Sequence, residues 1–263
     1  MKASITKTSF KKIFILLFWL VIWEIFALIV NKEIYLPSPI STFKTLILLL
    51  IDKSTYIIIL FSTYRTILGL LLSCIFGIIL GFACGLNEFL YDLINPIVIV
   101  IRSTPIISII ILAIIWLKSS NVPVFATFLM CFPVIFTNVS TGIKNTDKKV
   151  LEMCKVYNIS KFNIIKSVYF HSVLPYIYSA IISSIGIAWK ASSAAEVLSV
   201  PKYSIGKYLF YAKTSLEPTS LFSWTIIIVT LSYIFEVIFK RVFKGERKST
   251  YNKRYGVNYD KTK

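Results

Sequence analysis

Histidine occurs once in this chain, cysteine four times and carboxylate side chains twelve times among 263 residues. Metal sites and acid–base catalysis draw on those residue types, so both have little to work with. The single histidine, His171, reads as a structural contact or a solvated loop residue. Cys74, Cys84, Cys131 and Cys154 form no CxxC pair, and three of them lie inside apolar runs. That fits buried thiols rather than a zinc site or a disulfide framework. There is no G-x-x-x-x-G-K-[ST], which excludes a P-loop nucleotide site, and no H-E-x-x-H or G-x-S-x-G. An enzyme with this sequence would depend on isolated Arg, Glu and Lys residues within apolar runs.

Charge is the other scarcity. Only 16% of residues are charged and 56% are hydrophobic, with a mean hydropathy of +0.76; soluble chains carry about 25% charged residues. The charges are sorted, with apolar runs alternating with basic loops. Each run is long enough for the roughly 20 residues that cross about 30 Å of hydrocarbon. Six spans are expected: 13–30, about 57–86, 94–117, 123–142, 168–189 and 221–239. The fold class is therefore all-α, a polytopic integral membrane protein with a short coupling helix between spans 4 and 5. The chain divides into a basic N-terminal tail over 1–12, one membrane domain over 13–243 with its coupling loop at 144–167, and a basic, disordered tail over 244–263. A signal peptide is excluded by the length of the first run and the lack of an A-x-A-like site after it.

The net charge of +17 is a topology signal rather than a nucleic-acid signal, because the basic residues are divided among loops and form no single patch. With both termini inside, the cytoplasmic pieces hold 19 of the 29 Lys and Arg, the outer pieces hold 8, and Arg65 and Arg102 fall within spans. That count places Lys190 outside, just after span 5.

Polar features within the spans stand out against this background. Gly69, Ser73, Gly77, Gly81 and Gly85 recur every four residues, on one helix face. Small ridges of this kind let two helices approach closely. Arg65 continues the ridge. Arg65, Arg102 and Glu196 are candidates either for a pathway or gate, or for simple inter-helix pairs; Glu24 reads as a bundle-facing polar contact. Pro96 and Pro105 kink span 3. Leu36-Pro37-Ser38-Pro39 starts an extended segment, with residues 40–50 either a surface helix or a re-entrant piece. Residues 200–218 read as a soft loop.

The one long polar interruption with a helical pattern is Leu151–Pro175. Val156, Ile159, Phe162 and Ile165 repeat at three-residue spacing, broken near Asn158, a residue that tolerates a left-handed turn. It is either an interfacial helix lying on lipid or a docking element for another protein.

Several of these motifs together resemble the permease subunits of binding-protein-dependent ABC importers, in the branch for sulfonates, taurine, nitrate and some vitamin precursors. The resemblance covers about residues 20–243. In the family's docking motif, E-A-A is followed by three residues, G, nine residues and I-x-L-P. Here Glu152-Met153-Cys154, Asn158 and Val168-Tyr169-Phe170-His171 stand at those places, with the spacing intact and only the glutamate identical. Closer matches are Leu36-Pro37-Ser38-Pro39, Ser62-x-x-Arg65-x-x-x-Gly69, Asn95-Pro96, Arg102-x-x-Pro105, Pro133, Asn138 and Gly142, and Leu174-Pro175. Ala194-Ala195-Glu196 followed by Ser204-Ile205-Gly206 completes the series.

The resemblance implies alternating access by a bacterial cell-membrane permease with cytoplasmic termini. It also implies ABC ATPase subunits as partners, a solute-binding protein outside, and a second permease copy on a two-fold axis. ATP and Mg would sit on the ATPase, with no cofactor on this chain. Glu152, Met153, Cys154, Asn158, Ile159 and Phe162 would form the ATPase-coupling loop. A stand-alone secondary transporter or channel, and a membrane-embedded enzyme or scaffold, are the alternatives; neither has a motif here, and no inverted repeat is apparent.

Overall fold

A computed structural model describes the backbone of residues 2–255 and the side chains of residues 13–242. Among the described residues every regular element is helical: α1 Lys2–Val30, α2 Pro39–Ile51, α3 Lys53–Leu86, α4 Glu88–Ser103, α5 Ile106–Trp116, α6 Val122–Lys144, α7 Lys148–Val156, α8 Lys161–Ile164, α9 Phe170–Ser199, α10 Ile205–Thr214 and α11 Pro218–Tyr255. A π-helical turn, Ile165–Tyr169, joins α8 to α9.

Five helical segments are long and apolar enough to cross a membrane: Ile13–Val30, Lys53–Leu86, Val122–Lys144, Lys161–Ser199 and Pro218–Val242. The sixth expected span differs in shape. Residues 94–117 are not one kinked helix but parts of two, α4 and α5, bent by 100°. The break falls at Thr104-Pro105. Proline restricts the residue before it to extended backbone, and Thr104 has φ −75° and ψ 130°. At 11 residues α5 rises only about 16 Å, too little to cross the hydrocarbon alone.

At the centre, α6 lies between α3 and α9. The ridge on α3 makes this possible. A methyl group added at Gly85 would sit 2.5 Å from Ile143 Cβ, at Gly77 2.8 Å from Ile135 Cγ2, and at Gly69 2.6 Å from Thr127 Cβ. At Gly81 the obstacle is backbone, the Phe136 carbonyl oxygen at 2.8 Å. Ser73 donates its hydroxyl to the carbonyl of Phe128 on α6, at 3.0 Å. Ile135, Val139 and Ile143 of α6 then form one core cluster with Val173, Ile177 and Ala180 of α9.

Four further elements depart from expectation, whereas Leu36-Pro37-Ser38-Pro39 does not. Ser38 is extended, at φ −68° and ψ 151°, accepts from the Ser41 amide at 3.1 Å and caps α2, with Pro39 at its first turn. Proline is tolerated there because that amide has no helical partner. The loop expected over 200–218 contains α10, capped by Ser204, whose hydroxyl accepts from the Lys207 amide at 3.2 Å. α10 is held because Ile205 packs with Ile58, Trp224 and Ile227. Span 5, expected to end at Trp189, continues as helix to Ser199, which brings Lys190 inside it. The tail expected to be disordered over 244–263 continues α11 as helix to Tyr255; residues 256–263 lie outside the described residues. At the other end, the backbone of the expected N-terminal tail is helix from Lys2, continuous with span 1.

Candidate functional site

Two places bring sequence-selected residues together: an elbow at α7–α8, and a buried polar knot near the end of α9.

The elbow begins at Asp147, whose carboxylate accepts from the Lys149 amide at 2.9 Å and caps α7. The helix closes in a Schellman turn. The Ile159 amide donates to the Cys154 carbonyl at 3.0 Å and the Asn158 amide to the Lys155 carbonyl at 3.0 Å. Asn158 takes φ 50°, the left-handed conformation usually given to glycine. Ser160 then caps α8, and the π turn leads directly into α9 with no flexible joint. Cys154 is buried, anchoring the elbow, while Met153, Val156, Tyr157 and Phe162 are exposed, Val156 by 78%. Glu152 is exposed. The outcome is a stiff apolar prow with lysines 148, 149, 155, 161 and 166 around it, rigidly joined to a membrane helix.

The knot is made by α3, α9 and α10. Arg65 Nη1 donates to Glu196 Oε1 at 3.1 Å and to the Tyr203 carbonyl at 2.7 Å. Ser62 lies 2.9 and 2.8 Å from the two carboxylate oxygens and donates to them. The same hydroxyl accepts from the Ile205 amide at 2.9 Å. The Gly206 amide donates to Glu196 Oε2 at 3.1 Å. One turn away, the hydroxyls of Thr66 and Ser192 are bonded at 2.8 Å. Arg65 is 6% and Glu196 1% exposed. A charge removed from water so completely needs a partner and hydrogen bonds to hold it; here Arg65 pairs with Oε1, and both carboxylate oxygens accept hydrogen bonds. Gly206 lets the backbone reach the carboxylate, since an added Cβ would collide with Glu196 Cβ and lie 2.5 Å from the Val197 amide. Val200, just after the knot, has φ 43°, a costly conformation for a β-branched side chain.

Arg102 is not part of this assembly. It is exposed on α4 and joins neither Arg65 nor Glu196. Ser62 and Gly206 belong to the knot although the sequence reading gave them no role; their signal was the spacing of Ser62-x-x-Arg65 and of Ser204-Ile205-Gly206. No group of three or more His, Cys, Asp or Glu suited to a metal ion occurs among the described residues.

Residues 73–248 match the sequence profile of the family described as binding-protein-dependent transport system inner membrane component. The chain belongs to that family. Both the elbow and Glu196 lie within the match, whereas Leu36–Pro39, Ser62 and Arg65 precede it. Among curated relatives, the nitrate import permease NrtB of Synechocystis sp. is 28% identical over 62% of this chain and 57% of its own length. The NrtB of Synechococcus elongatus is 26% identical over 48% of this chain and 46% of its own. The bicarbonate transport system permease CmpB of the same organism is 26% identical over 54% and 51%. The chain thus spans about half the length of the curated relatives it matches. Inward-facing structures of the MetNI methionine ABC transporter share the fold. One superposes with a TM-score of 0.59 over 74% of this chain and 99% of that one, at 16% identity.

Proposed function

We propose that this inner-membrane component is the permease subunit of an ABC importer. It forms the solute pathway and is driven by a separate ATPase. The elbow carries this reading: an apolar, exposed surface stiffly continuous with α9 suits a partner that pushes on it. An interfacial helix lying on lipid would gain nothing from such a rigid joint. The termini and the elbow are cytoplasmic, in agreement with the excess of lysine and arginine on those segments. Glu152, Met153, Asn158, Ile159 and Phe162 form the surface that the ATPase grips, and Cys154 seats the elbow from behind. A second copy of this chain completes the pathway, and a solute-binding protein delivers to its outer mouth. ATP and Mg belong to the ATPase.

The Arg65–Glu196 knot has a structural role. It clamps α3, α9 and α10 into one body, so that a push on the elbow reaches the outer half of α9. The solute is a small anion, in keeping with nitrate and bicarbonate in the names of the relatives.

The test is reconstitution. Purified with its ATPase and binding protein in liposomes, the chain should support uptake that requires ATP. Replacing residues 152–165 with a Gly/Ser linker should abolish uptake while ATPase turnover persists. Uptake at the parent rate after that replacement would refute the reading.

A further inference from the structure

We propose that Lys190 holds the anionic solute midway across the membrane, at the centre of a hydroxyl-bearing face of α9. The inference rests on the permease reading above and adds to it the residue that meets the solute. Ser179, Ser183, Gly186, Lys190 and Ser193 fall within about a quarter of the helix circumference at 3.6 residues per turn. Ser179, Ser183 and Lys190 are exposed, and Gly186 and Ser193 half-buried. Over Gly186 there is open space, with nothing within 4 Å of a built Cβ. The opposite face of α9 is packed, with Ala180, Ser184, Ala188, Ala191 and Ala195 all buried. A lipid-facing surface would be apolar. This one is polar, small and charged, the character of a surface that meets water or solute.

Depth separates Lys190 from a lysine that simply reaches the membrane surface. Helices α3 and α9 run antiparallel, with Ser62 meeting Glu196 and Thr66 meeting Ser192. Two residues further along α9, Lys190 is level with residue 68, near the middle of the 34-residue α3. It lies nine residues before the end of α9 at Ser199, about 13 Å of helix rise. Side chains on a helix lean toward its N-terminus, so Lys190 leans away from that nearer end and cannot snorkel to it. Its ammonium has no hydrogen-bond, ion-pair or ring partner among the described residues. The carboxylate nearest in sequence, Glu196, is already held by Arg65, Ser62 and the Gly206 amide. The hydroxyl of Ser179 is also without a partner, and that of Ser183 donates only to its own helix, to the Ser179 carbonyl at 2.9 Å. A free positive charge flanked by rotatable hydroxyls is a ready site for a small oxyanion.

The experiment uses the full chain assembled with its ATPase and binding protein. A Lys190→Cys variant is treated with a water-soluble, membrane-impermeant thiol reagent, and the parent chain with its four cysteines sets the background. We expect labelling about tenfold above background; the three anions tested, nitrate, bicarbonate and methanesulfonate, are offered in the uptake assays instead, because the variant lacks the ammonium that holds them. In uptake assays, Lys190→Gln should lower anion uptake by about tenfold, equivalent to about 1.4 kcal/mol, while Lys190→Arg keeps it and ATP turnover persists in both. The inference is overturned if the thiol reacts only with a lipid-soluble maleimide. It is overturned if Lys190→Gln takes up the anions at the parent rate, or if the parent complex hydrolyses ATP but moves none of the three. Failure of any ATPase to assemble with the chain would instead refute the permease reading.

Discussion

At the residue scale, the knot around Glu196 makes the sharpest demands. Removing one partner of a buried ion pair leaves the other charge unmatched, at a cost of about 3 kcal/mol. Glu196→Gln and Arg65→Gln should therefore each lower the thermal melting point of the detergent-purified chain, and the double variant should lose less than the sum. Additive losses would show that the pair is not coupled. Gly206→Ala should be as damaging as either, because the added methyl meets Glu196 and the α9 backbone together. Asn158 offers a contrast. Glycine fits its left-handed backbone at φ 50°, so Asn158→Gly should leave coupled ATP turnover intact. Asn158→Ile should cost about 1–2 kcal/mol locally and loosen the elbow, seen as ATP turnover that no longer follows binding-protein addition.

At the scale of elements, the contact between α3 and α6 is the spine, and the sequence displayed it openly. A four-residue period of glycine and serine needs no knowledge of the partner helix to be read as a close-packing face. Gly69 and Gly81 are its least forgiving positions, because each faces a carbonyl oxygen of α6, that of Val124 at 2.7 Å and that of Phe136 at 2.8 Å, and not only a movable side chain. Gly81→Leu should prevent recovery of a monodisperse chain from membranes, while Leu71→Ala, on an exposed face of the same helix, should not. Other elements were hidden for physical reasons. The break between α4 and α5 turns a proline that hydropathy averages over into a 100° bend. Residues 200–218 looked like loop because Ser204-Ile205-Gly206 interrupts them. Their helix, α10, exists because Ser204 caps it and Ile205 finds a pocket beside Trp224, a tertiary contact invisible to local pattern. Span 5 was ended at Trp189 for a similar reason: a charge closed the apolar run, yet the helix passes through Lys190.

At the scale of the whole molecule, the chain is a helical bundle from which the α7–α8 elbow projects. α3, α6 and α9 form the core, α10 and α11 brace α9, and residues 13–30 of α1 are mostly exposed, with Ala27 buried and the Trp23 indole donating to the Pro37 carbonyl at 3.1 Å and stacking on Phe222. The family was legible from the order of motifs, even though only the glutamate of the docking motif is identical, because spacing carries geometry when identities drift. The pairing of Arg65 with Glu196 was not legible, since they lie 131 residues apart and only the fold brings them together.

In the proposed function, α7–α8 is a handle gripped from the cytoplasm by a nucleotide-driven partner. Its most direct test is a cysteine at Phe162, on the exposed tip of the elbow, paired with cysteines lining the ATPase groove in the assembled complex. The expected result is a disulfide cross-link at the elbow whose yield changes between ATP-bound and nucleotide-free states, and whose formation stops uptake. A Phe162→Cys thiol that reacts with an impermeant reagent applied from outside intact cells, and never cross-links to the ATPase, would contradict it.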